Sequence, residues 1–136
     1  MADVSESLTV LDATESRTAS DQVLEPFYAK GTFVVNDTDT HQFEFASRGK
    51  SIYSCHVLND GDEILTVTIY GLQESGKVQT DEEAVSIGSF TVAVGANTSG
   101  YETWTDPFPY YLVTVVSAGA QTGSPTAKVW INCHSN

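Results

Sequence analysis

Positive charge is scarce in this chain: six Lys and Arg stand against 18 Asp and Glu, for a formal net charge of −12. So few cations can release little of the counterion atmosphere of a phosphate backbone, and a nucleic-acid partner is not expected. Long apolar runs are missing too. None approaches the roughly 18 residues that cross a bilayer, and no membrane partner is expected. The start, MADVSESLTV, has neither a basic stretch nor an apolar segment behind it, which predicts no secretion signal and folding in a cytosol. Cysteine is limited to Cys55 and Cys133. A chain of 136 residues can nonetheless bury a core without disulfides or metals, so a single domain over residues 1–136 is expected. An acidic, Lys-poor surface repels itself in dilute buffer, and molar salt removes most of that cost. A salt-loving source is therefore one expectation, beside an ordinary acidic protein.

What the chain does have is short alternating runs. Ser51–Leu58 sets Tyr53, Cys55 and Val57 against Ile52, Ser54 and His56, and the following run sets Leu65, Val67 and Ile69 against Thr66, Thr68 and Tyr70. Phe43 and Phe45 share a face of His41–Ala46, and Phe90, Val92 and Val94 share another. The stretch Asp106–Cys133 is the strongest. Tyr110–Val116 is aromatic and β-branched, while Lys128–Cys133 alternates Val129, Ile131 and Cys133 with Lys128, Trp130 and Asn132. Gly119, Gly123, Ser124 and Pro125 between them predict a hairpin. Asp60-Gly61 predicts a second one through a type I′ turn, and Arg48-Gly49-Lys50 marks another turn. Pro26 restricts Val23–Val35 to an edge or connector, with Gly31–Val35 as its strand. Residues 96–109 read as a long loop holding Tyr101, Trp104 and Phe108. About eight strands with turns every 8 to 12 residues and no helical period predict an all-β, two-sheet antiparallel sandwich of jelly-roll type. Residues 1–20, with Leu8, Val10 and Leu11, read as an N-terminal arm or an edge strand.

Chemistry-bearing patterns are sparse. Cys55-His56 and Cys133-His134 offer zinc-type atoms, but neighbours in a strand point to opposite faces and the spaced pairs of a zinc site are missing. Buried free thiols are expected, ahead of a disulfide or a metal. The acids at Asp37/Asp39, at Asp60/Asp62/Glu63 and at Asp81/Glu82/Glu83 match no EF-hand loop, so solvated carboxylates are expected there and no cofactor is assigned. His41, His56 and His134 have no nucleophile or acid partner at a recognisable spacing, which predicts a protein that is not an enzyme. Asn36-Asp37-Thr38 and Asn97-Thr98-Ser99 fit the glycosylation triplet, which goes unused in a cytosolic product. Tyr101, Trp104 and Phe108 either plug one end of the sandwich or form the centre of a protein interface together with Leu8, Val10 and Leu11 of the arm.

The text from Ser86-Ile87-Gly88-Ser89-Phe90-Thr91-Val92 through Tyr101-Glu102-Thr103 to Asp106-Pro107-Phe108-Pro109-Tyr110-Tyr111-Leu112-Val113-Thr114-Val115, then the small-residue loop Ala118–Pro125 and a closing strand, resembles small β-sandwich structural proteins of tailed bacteriophages and archaeal tailed viruses. A looser match covers Glu25-Pro26-Phe27-Tyr28-Ala29-Lys30-Gly31. The resemblance implies a virion location and a decoration, turret or adaptor role. It further implies a symmetric homo-oligomer, a trimer as first expectation, bound to the major capsid protein or another virion protein. It supplies no catalytic residue. The alternative is a carbohydrate- or receptor-binding jelly roll in which Tyr101 and Trp104 stack on a sugar. A metal-dependent enzyme of the cupin sort would need a His/Glu set that three scattered histidines do not offer.

Overall fold

The computed structural model describes residues 27–94 and 98–134, with side chains in the first strand from Lys30 onward. The expected arm, with Leu8, Val10 and Leu11, lies outside the described residues. Among those described, the chain forms eight strands and no helix: β1 Phe27–Val34, β2 His41–Ala46, β3 Ile52–Asn59, β4 Leu65–Leu72, β5 Val85–Val92, β6 Thr98–Trp104, β7 Tyr110–Ser117 and β8 Thr126–His134. They make two four-stranded antiparallel sheets, ordered β1-β8-β3-β6 and β2-β7-β4-β5. Within that order β1 meets β8, β2 meets β7, β3 meets β6 and β4 meets β5. The pairing is that of one long hairpin rolled up on itself, which is the jelly roll the strand count suggested.

Alternation decides which residues face inward. Tyr53, Cys55 and Val57 of β3, Leu65, Val67 and Ile69 of β4, and Val129, Ile131 and Cys133 of β8 all join one buried cluster between the sheets. Phe43 and Phe45 join it from β2, as expected.

Partners are where the structure departs from the sequence reading. β7 and β8 are not a hairpin: β7 lies between β2 and β4, β8 lies between β1 and β3, and residues 118–125 cross from one sheet to the other. Aromatic and β-branched content says that both segments are strands. It is silent on pairing, and a loop of that length readily spans the ~10 Å between packed sheets. Asp60-Gly61 fails as a hairpin for the same reason, since β3 and β4 belong to different sheets. Gly61 is absent from the residues with positive φ. Its glycine answers to space instead, because a Cβ there would sit 2.3 Å from Gln121 Oε1. The left-handed pair occurs at Arg48 (φ 56°) and Gly49 (φ 70°), where Lys50 N donates to Ser47 O at 3.0 Å. β4 to β5 is the one connection that stays within a sheet.

Three strand boundaries also shift. The loop expected over 96–109 contains β6, β1 begins before Gly31, and β5 ends at Val92, leaving Val94 half exposed beyond it.

Candidate functional site: one sheet face and one end

Every strand of the β1-β8-β3-β6 sheet turns alternate side chains outward, and register aligns them in rows. Lys30 lies opposite Trp130, Trp130 opposite His56, and His56 opposite Tyr101. One row thus crosses all four strands. The next row is Thr32, Lys128, Leu58 and Ser99, and on the other side Asn132, Ser54 and Thr103 align. Among the described residues no acidic side chain points out of this face. In a chain of net charge −12 that is a local reversal, with Lys30 and Lys128 as its charges. His56 is exposed and Tyr101 is 70% exposed, the largest exposure of any big apolar side chain described.

The rings of Trp130 and His56 are 5.2 Å apart between centroids with planes 31° from parallel. Coplanar rings lying side by side need roughly 6 Å, two ring radii plus a van der Waals contact. These two therefore meet at a tilt, neither coplanar nor parallel-stacked, as an aromatic pair on the outward face.

The acids gather elsewhere. Only Glu44 and Glu102 of the described carboxylates lie in strands. The end of the sandwich formed by residues 35–40, 60–64 and 118–125, together with Ala93 and Val94, carries Asp37, Asp39, Asp60, Asp62 and Glu63 and no Lys or Arg. Its loops are tied by two amides. Asn59, fully buried, donates from Nδ2 to Glu63 O at 2.9 Å and Ala93 O at 3.1 Å, and its Oδ1 accepts from Gly61 N at 2.9 Å. Gln121 accepts from Asp62 N at 2.8 Å and donates to Val35 O at 3.1 Å and Ser117 Oγ at 3.2 Å. An open depression of about 430 Å³ lies beside Gln121, lined also by Asp60, Asp62, Ser124 and Pro125. Ile64 and Val94 rise from this end, 46% and 49% exposed.

The three aromatics singled out from the sequence separate. Trp104 is 5% exposed and joins Phe45, Tyr53 and Tyr111 at centroid distances of 6.3, 5.7 and 5.5 Å, so it is core and not interface. Its inward direction follows from the register Tyr53↔Trp104 on a buried row. Phe108 is partly buried against the core, edge-on to Tyr111 at 6.3 Å. Tyr101 alone of the three remains available at the surface. Trp130 and His56 were missed as surface partners of Tyr101, although outward alternation in β3 and β8 was readable from their sequences.

Both cysteines are free and buried. Burial pushes the Cys55 thiol far up from its ordinary value, and pushes Cys133 up to about 12 despite the opposing influence of Arg48 and Lys50. Neutral, sealed thiols are poor nucleophiles and poor metal ligands. His41 is buried beside Phe33 with its Nε2 3.5 Å from Asp37 Oδ1, His56 lies at a tilt against Trp130, and His134 is exposed at the end of β8. Among the described residues no three His, Cys, Asp or Glu gather as a metal site. Asn36 sits exposed in a loop, whereas Asn97 lies outside the described residues.

No known protein family matches this sequence, and no curated protein does. Solved structures with a similar fold include CorA of Methylomicrobium album BG8, a surface-associated copper-binding protein, at 9% identity over 76% of this chain and 92% of that one, with a TM-score of 0.51. PliG of Aeromonas hydrophila, a periplasmic inhibitor of g-type lysozyme, matches at 18% identity over 93% and 97%, with a TM-score of 0.46. A Bacillus endospore appendage protein of disulfide-linked pili matches at 16% identity over 90% and 99%, with a TM-score of 0.49. Identities this low speak for the fold alone.

Proposed function

We propose that this protein is a non-enzymatic structural component of a virion, a decoration or turret protein that assembles as a symmetric homo-oligomer and binds the major capsid protein. The observation that carries the reading is the outward face of β1-β8-β3-β6, on which no described acid points out, with its row of Trp130, His56 and Tyr101. A monomer gains nothing from keeping such aromatics in water, whereas Trp and Tyr at the centre of an interface supply much of its binding energy. The interior adds support. Its thiols are sealed, and the Asn59 and Gln121 amides are spent on clamping loops, which suits a scaffold more than a reaction centre.

The test is mass. Light scattering of the purified protein, and protein stoichiometry of intact particles, should give a closed oligomer and a copy number matching capsid symmetry. A protein absent from particles would end this reading. The carbohydrate- or receptor-binding module is a second reading, favoured by the aromatic row crossing three adjacent strands. A monomer that binds oligosaccharide, and loses binding when Tyr101 is replaced by Ser, would establish it in place of the first. The concentration of the described acids in loops also fits a salt-rich environment. Cooperative unfolding should then be lost on transfer to low salt, and undiminished stability in dilute buffer would remove that part of the proposal.

A further inference from the structure

We infer that the outward face of β1-β8-β3-β6, free of acid among the described residues, is the docking surface for the acid-rich end of a second copy of this chain, so that the assembly is heterologous, end onto face. The inference rests on the homo-oligomer reading above and names its contact. Each surface carries what the other lacks. The face presents Lys128 and Lys30 near the Trp130–His56 pair, with Tyr101 and the partly buried Leu58 in the neighbouring positions and no described acid. The end presents Asp60, Asp62 and Asp39, all exposed, with no described Lys or Arg, around the exposed apolar side chains of Ile64 and Val94.

One Asn59 amide binds the carbonyls of Glu63 and Ala93, the residues just before Ile64 and Val94, which ties the two backbone segments to the same buried group. An apolar centre with an acidic rim thus faces an aromatic centre with a basic rim, the arrangement that favours encounter and fixes orientation. The amide clamps organise the end in advance, which lowers the cost of ordering it on contact. Face-to-face docking about a twofold axis is disfavoured because it gathers the lysines of both copies together. End-onto-face contacts use two different patches per copy, so they close into a ring when the rotation allows, a trimer among the possibilities, and otherwise run on as a filament.

Two variants break one patch each. Lys128→Glu with Trp130→Ser spoils the face, and Asp60→Lys with Asp62→Lys spoils the end. All four side chains are solvent-facing, and thermal unfolding of both variants checks that the fold is kept; Tyr101→Ser is a second, milder face variant. Each double variant alone should sediment as a monomer, weakened by at least about 100-fold in self-affinity. Mixed in equal amounts they should form a one-to-one heterodimer, because the first retains an intact end and the second an intact face. If the end variant still self-associates while the face variant does not, docking is face to face and the inference is wrong. It is equally wrong if both variants assemble as the wild type does, although the homo-oligomer reading then survives. A wild type that stays monomeric at every concentration and salt tested removes the homo-oligomer reading itself. Capture of capsid protein or an acidic oligosaccharide by the face in place of a second copy also overturns the inference.

Discussion

The two ends of this sandwich are closed by unlike means. At the end near β6–β7, five aromatic rings from four strands, Phe43, Phe45, Tyr53, Trp104 and Tyr111, touch in a chain of centroid distances from 4.7 to 6.3 Å. At the opposite end, Asn59 and Gln121 hold the loops through backbone hydrogen bonds. The rings fill volume and two of them, Tyr53 and Tyr111, also pin loop carbonyls through their hydroxyls, whereas the other end has no such ring cluster and relies on amides that fix particular peptide groups. The aromatic end therefore holds the larger packed mass, and the amide end is held mainly through its peptide groups. That division matters because the surface proposed for docking sits on the amide end.

The contrast can be broken most severely at Trp104. Trp104→Ala should cost ~3–5 kcal/mol by denaturant unfolding, since it empties the centre of the ring cluster. A loss below about 1 kcal/mol would mean that the rings do not act together. Asn59→Ala comes next, with a loss of ~2–3 kcal/mol from stranding the Glu63 and Ala93 carbonyls and the Gly61 N–H. It should also speed hydrogen exchange at Gly61 while sparing the strands around Trp104, and uniform acceleration across the protein would erase the proposed division. Tyr111→Phe tests the polar part of the aromatic end. Its hydroxyl donates to Asp106 O and accepts from Phe108 N, so about 1 kcal/mol should be lost and Phe108 should loosen over Gly71, where a Cβ would meet its ring at 2.2 Å.

The smallest effect near neutrality concerns pH. Burial holds the Cys55, Cys133 and Tyr53 protons on, so the folded chain binds more protons than the unfolded one above the ordinary thiol value of 9.0. Stability should be flat in these groups below pH 9 and fall as pH rises toward 12. Replacing Cys133 by Ala should flatten part of that fall, and an unchanged alkaline limb would show that the thiol is not the group responsible.

Much of this was readable along the chain. The inward sets of β3, β4 and β8 follow from alternation alone, because a strand with one face on a core has no other way to hide its apolar side chains. Burial of the thiols followed from their neighbours Tyr53, Val57 and Ile131. The hairpins assigned to Asp60-Gly61 and to residues 118–125 were wrong for a common reason. Turn chemistry reports that the chain reverses, and a jelly roll reverses mostly between sheets. Composition leaves Trp104 open between plug and interface because residues 96–109 read as loop, and only the β6 parity decides for the core.

What the sequence determined by itself is local: which stretches extend, which side of each faces oil, and an excess of acid that had to be put somewhere. Where that acid was absent was decided only by the tertiary structure. Lys30, His56, Tyr101 and Trp130 lie far apart along the chain, and it takes the β1-β8, β8-β3 and β3-β6 registers to set them in one row. The physical reason is that side-chain direction is set residue by residue through the pleat, whereas strand neighbours are chosen by the packing of two whole sheets.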